Sequence, residues 1–244
     1  MRICAIGNSH LAMIKAGWDA IRGQYPEVEI TFFGARVPLL FGLQVQDNKL
    51  IFTTENLRKF MTLTSNGVDH IAGDYDVYLI VGCEMSLSTV VVAAKQFGPA
   101  ELENLDATEE LGKTRGLWIV RLVREITTSP IVLLPAPYHT GADAAAAYEW
   151  GRGARAMKSL NRLYLAALHE LAQTSGFVLH LQPRETLRPV EFLTLEKFAY
   201  GSERYDHHGK EGQGDGKHMN AEFGMLYLHS VLSTLGVPSI SGIR

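Results

Sequence analysis

The chain of 244 residues is 46% hydrophobic and 20% charged, a balance that can form a core and excludes a disordered polypeptide. Its 23 Lys and Arg residues stand against 26 Asp and Glu, a net charge of −3 that offers no basic field for general nucleic-acid binding. No apolar run approaches the length of a membrane-spanning helix, and the run ending at Gly7 is too short for a signal-peptide core, so neither a membrane nor a nucleic-acid partner is expected.

In chain order, Arg2 to Ile6 reads as a short buried strand that runs directly into Gly7-Asn8-Ser9-His10. Leu11, Ile14, Trp18 and Ile21 then recur at three- and four-residue steps and predict a helix. Val28 to Phe33 predicts a second strand, stopped by Gly34. Residues 35 to 76 read as loops, with a strand near Leu50–Thr53 and a short helix near Glu55–Met61. Val77 to Val81 is a third apolar run, and Ser86 is placed to cap a helix that carries Val90 to Ala94. The acidic stretch from Gly98 to Thr114 reads as a solvated surface excursion, with a lid as the alternative. A helix over Leu117–Ile126 and a strand over Ile131–Leu134 follow, the latter ending in Pro135-Ala136-Pro137. Ala142 to Thr174 is helix-forming, interrupted near Gly151 and Gly153, with Met157, Leu160, Tyr164, Leu168 and Leu171 on one stripe. Phe177–Leu181 predicts a last strand and Glu222–Leu235 a last helix.

Strands alternating with helices, without an internal linker, predict one α/β domain over residues 1–244, its parallel sheet covered on both faces. Ligands in such sheets bind beyond the C-terminal strand ends, where Gly7-Asn8-Ser9, Gly34 and Gly82-Cys83-Glu84 fall. The only cysteines, Cys4 and Cys83, both lie in apolar runs and lack a Cys-x-x-Cys spacing, which points to a reduced, cytoplasmic protein.

Two motifs carry chemistry. Ser9 sits where a strand turns into a helix, a place that can offer both a hydroxyl nucleophile and a backbone N–H for a developing oxyanion. A serine there also caps helices readily. Near the other end, Gly212-Gln213-Gly214-Asp215-Gly216-Lys217-His218 forms a glycine-broken loop ahead of the last helix. Within it Asp215 can hold the imidazole of His218 so that its second nitrogen takes a proton from a serine.

In residue types, spacing and order the pair resembles the SGNH/GDSL hydrolase family, which has Gly-Asp-Ser at its first strand and a late Asp-x-x-His. That resemblance implies a three-layer α/β/α, flavodoxin-like domain and an ester-hydrolysing or acyl-transferring activity, with no cofactor and no metal. It makes Ser9 the nucleophile, His218 the base and then the acid, and Asp215 its orienting partner. The Ser9 and Gly34 N–H groups would form the oxyanion hole, with Gly82 as a further candidate. Asn8, His10, Glu84, His139, His207 and His208 are placed at the substrate rim, and the substrate is expected to be a small or carbohydrate-borne acyl ester, such as an acetyl ester.

Two departures stand out. Asn8 replaces the Asp of Gly-Asp-Ser, and Glu84 in Gly82-Cys83-Glu84-Met85 replaces the Asn of the family's Gly-x-Asn-Asp, an oxyanion donor. A carboxylate only accepts, so Asn66 and Asn220 are candidate substitutes, and the alternative is a catalytically impaired carbohydrate-binding or assembly module. Tyr205-Asp206-His207-His208 lacks the spacing of a metal motif, and Phe192, Phe198, Tyr200 and Tyr205 read either as core or as an aromatic wall for a sugar ring.

Overall fold

A computed structural model describes residues 1–97, 99–141, 153–189, 192–202 and 216–240. Eight strands are present among them: β1 (Arg2–Gly7), β2 (Glu29–Gly34), β3 (Leu43–Gln46), β4 (Lys49–Phe52), β5 (His70–Ala72), β6 (Val77–Val81), β7 (Ile131–Leu134) and β8 (Val178–Leu179). The helices are α1 (Leu11–Ile21), α2 (Glu55–Thr64), α3 (Leu87–Ala93), α4 (Ala107–Gly112), α5 (Arg115–Ile126), α6 (Gly153–Ser175) and α7 (Ala221–Thr234).

Strands β2-β1-β6-β7-β8 pair in that order, all parallel, with Gly7 opposite Gly34 on one side and Val81 on the other. Alternation along β1 divides the molecule into layers. Ile3 and Ala5 enter a core shared with α1 and α7, whereas Cys4 and Ile6 enter a second core shared with α2, α3, α5 and α6. Both faces of the sheet are thus covered, giving a three-layer α/β/α architecture whose strand order is 2-1-3-4-5 when only these five strands are numbered. The order reverses between β1 and β6, so the ligand crevice of such a sheet falls between Asn8–His10 and Gly82–Glu84.

The irregular region read between residues 35 and 76 contains more than the one strand expected there. β3, β4 and β5 form a separate antiparallel sheet, with Asp47 and Asn48 both at positive φ in the β3–β4 connection. A two-residue turn with this geometry matches the twist of a hairpin. The acidic stretch is also more ordered than a solvated excursion: Leu102, Leu105 and Leu111 are buried in the core. Among its carboxylates, Glu101, Asp106 and Glu109 are exposed, and Glu109 and Glu110 pair with Lys113. Ser86 caps α3 through the Thr89 N–H, as its place before the apolar run predicts. The stripe from Met157 to Leu171 is buried along α6, while residues 142–152 lie outside the described part.

Candidate active site

α1 begins just after Ser9, and α7 just after His218. These two helices pack against each other at a pair of glycines. A Cβ on Gly17 would stand 2.4 Å from the Gly224 carbonyl carbon, and one on Gly224 would stand 1.9 Å from the Met13 carbonyl oxygen. So close an approach leaves little freedom in the register of one helix on the other, and hence in where their N-terminal ends lie. The loop before α7 is held as well: Thr140 donates to the Gly216 carbonyl at 2.9 Å and Asn220 N–H to the Phe198 carbonyl at 2.7 Å. The outcome is a contact of 2.8 Å between Ser9 Oγ and His218 Nε2, groups from opposite ends of the chain. The His10 ring stacks beside His218, with centroids 5.4 Å apart.

Ser9 does not cap α1. Its hydroxyl faces His218, and the turn is closed by Asn8, whose Oδ1 accepts from the His10 N–H at 3.2 Å and whose carbonyl accepts from Leu11. Among the described residues no hydrogen bond uses the Ser9 N–H. Asp215, together with Tyr205, Asp206, His207 and His208, lies outside the described residues.

Of the expected oxyanion donors, two are engaged within the fold. The Gly34 N–H already donates to Thr64 Oγ1 at 2.8 Å, and the Gly82 N–H to the Leu134 carbonyl at 2.8 Å. Asn220 spends its amide on the Lys197 and Tyr200 carbonyls while its oxygen caps α7. Asn66 is exposed, in a left-handed turn after α2. Glu84 turns its carboxylate to the N-terminus of α5, accepting from the Arg115 N–H at 3.1 Å. A negative group is favoured there by the helix dipole.

Gly82, Cys83 and Glu84 all have positive φ, at 69°, 51° and 69°. For the two residues with side chains this costs about 1–3 kcal/mol each. The turn persists because its polar groups are tied on several sides: Gly116 N–H to the Cys83 carbonyl at 2.8 Å, Met85 N–H to the Gly82 carbonyl at 3.1 Å, and Thr89 Oγ1 to the Glu84 carbonyl at 2.6 Å. Burial pushes the Cys83 thiol up to about 12, against a smaller lowering by the Asn8 N–H. Iodoacetamide at pH 8 is therefore expected to spare Cys83 in the folded chain and to alkylate it after denaturation. Fast alkylation of the native protein contradicts this prediction.

Of the remaining rim candidates, His139 lies within the described residues. His139 Nε2 lies 3.2 Å from Ser88 Oγ on α3, a second serine–histidine contact that the sequence reading did not anticipate. A cavity of about 780 Å³ opens beyond β7 and β8, lined by Pro135, Ala136, Tyr138, Asn161, Tyr164, Leu165, Leu181, Gln182, Arg184, Leu187, Arg188, Pro189 and Phe192. Neither Ser9 nor His218 lines it. The four aromatics do not make one wall: Phe198 is core against Phe223, Tyr200 is exposed, Phe192 faces the cavity, and Tyr205 is undescribed. Among the described residues no group of three His, Cys, Asp or Glu side chains is placed to hold a metal ion, and no helix is long and apolar enough to cross a membrane.

Two further residues at the site escaped the sequence. Thr64 consumes the Gly34 donor, and Arg115 lies with its guanidinium 3.1 Å from the Phe41 ring centre. Desolvation lowers the Arg115 pKa, opposed by the Glu84 charge. No local pattern marks either residue, since each acts on a segment about thirty positions away.

No protein-family model matches the chain, and no curated protein does. Solved structures similar to it include an extracellular lipase from Streptomyces rimosus, 12% identical with a TM-score of 0.43, covering 94% of this chain and 99% of that one. A GDSL-like lipase from Bacteroides thetaiotaomicron is 7% identical with a TM-score of 0.45, covering 97% and 87%. The periplasmic domain of a lipopolysaccharide acetyltransferase from Salmonella ser. Paratyphi A is 9% identical with a TM-score of 0.46, covering 96% and 83%. The chain itself has a five-stranded parallel sheet in the order 2-1-3-4-5 between two helical layers. That architecture agrees with the SGNH/GDSL resemblance of its two motifs.

Proposed function

We propose that the chain is a serine esterase or O-acyltransferase of the SGNH/GDSL type, a single domain acting in the cytoplasm on a small or carbohydrate-borne acyl ester such as an acetyl ester. The observation that carries this reading is the 2.8 Å contact between Ser9 Oγ and His218 Nε2 at the switch point of the sheet. In the tautomer with its proton on Nδ1, His218 accepts the Ser9 proton as Oγ attacks the ester carbonyl. Asp215 is assigned to hold that Nδ1–H. The tetrahedral intermediate collapses by expelling the alcohol, which leaves with the proton from His218. Water, or a second hydroxyl compound in a transferase, then gives its proton to His218, takes the acyl group, and Ser9 recovers its hydrogen.

A second reading, a binding or assembly module on the same fold, is favoured by the spent Gly34 donor and by Glu84 turned away. Hydrolysis of p-nitrophenyl acetate by the parent chain and by Ser9→Ala, with a fluorophosphonate probe beside it, separates the two. The enzyme reading expects turnover and labelling in the parent and neither in the variant. An inert, unlabelled parent, or turnover that survives the substitution, supports the module.

A further inference from the structure

Stabilising the oxyanion takes donors aimed at the carbonyl oxygen as it gains charge, and each is worth about 10²–10³ in rate. Beside Ser9 most candidates are occupied. Gly34 and Gly82 donate within the fold, and residue 84 offers a carboxylate that faces α5. One donor group next to the nucleophile has no partner among the described residues: the Nδ2 amide of Asn8.

Its orientation is decided by its neighbours. The His10 N–H can only donate, so the side-chain oxygen of Asn8 must be the atom that faces it, at 3.2 Å. The same oxygen lies against Gly82, where a Cβ would come within 2.6 Å of it. With the oxygen anchored, the planar amide holds its two N–H bonds on the side away from His10, one residue from Ser9. An aspartate could make the His10 contact but would have no proton to donate. Compared with the family pattern, this chain carries an amide at 8 where an acid is expected and an acid at 84 where an amide is expected.

The geometry points to Asn8 as the side-chain oxyanion donor of this site, taking the role that Glu84 does not fill, with the Ser9 N–H as the second donor. This rests on the esterase reading above. The test compares Asn8→Asp, which keeps the acceptor for His10, and Asn8→Ala, which removes the donor without adding charge. Both are assayed as full-length chains on p-nitrophenyl acetate, with Ser9→Ala as the blank and thermal unfolding as the folding control. The expected result is a 10²–10³-fold fall in kcat for both, with KM changed little and the Asn8→Asp midpoint preserved. An active parent whose folded Asn8→Asp and Asn8→Ala variants both stay within threefold of it overturns the assignment alone. A parent that neither turns over ester nor takes the probe overturns it together with the esterase reading.

Discussion

Replacing His218 with alanine is expected to lower kcat/KM toward p-nitrophenyl acetate by about 10³–10⁵-fold, the largest effect any single substitution should have beside that of Ser9 itself. A serine hydroxyl is a poor nucleophile until a base takes its proton, and Nε2 at 2.8 Å is within the distance at which that transfer occurs. The variant leaves Ser9 and its N–H in place, so the remaining rate measures what donors and binding supply without a base. Added imidazole should restore part of the activity, because the deletion opens space beside Oγ. A folded His218→Ala chain that retains more than a tenth of the parent rate would sink the proposed proton transfer.

Gly224→Ala should damage both stability and rate, although alanine is the better helix former by about 1 kcal/mol. The added Cβ would lie 1.9 Å from the Met13 carbonyl oxygen and 2.7 Å from its carbon, and both are backbone atoms of α1 that cannot rotate aside. The clash outweighs the propensity gain: α1 and α7 have to separate, at about 1–3 kcal/mol or more. For a chain of this length each kcal/mol lowers the unfolding midpoint by about 2–4 °C. Ser9 and His218 precede the N-terminal ends of these two helices, and a displacement of about 1 Å there can cost 10²-fold in rate. Calorimetry and kcat at 25 °C should both fall. An unchanged midpoint and rate would mean that the two helices do not meet at Gly17 and Gly224.

Helices α1, α5, α6 and α7 are legible in the sequence because burial of one face imposes a period on their side chains, and strands β1, β6 and β7 because burial on both faces leaves unbroken apolar runs. Strand β4 is expected near Leu50–Thr53 and found at Lys49–Phe52, but its hairpin partner β3 is not legible: Leu43 to Gln46 has only two apolar residues alternating with two glutamines, too little to count a period on. Asp47-Asn48 was the available clue, since both residues tolerate the left-handed turn found there. The leucines of the acidic stretch were hidden by their charged neighbours, which share short helical turns with them but face solvent.

The site divides the same way. Ser9 and His218 could be named from the chain alone, because a turn after a strand and a glycine-broken loop before a helix are local features with a readable backbone consequence. Which donors remain near Ser9 was decided by tertiary structure: Thr64 reaching Gly34, Leu134 meeting Gly82, and Arg115 drawing Glu84 away. A hydrogen bond depends on two groups meeting within about 3 Å. Sequence periodicity records which face a residue presents to the core, but not which distant partner claims its N–H.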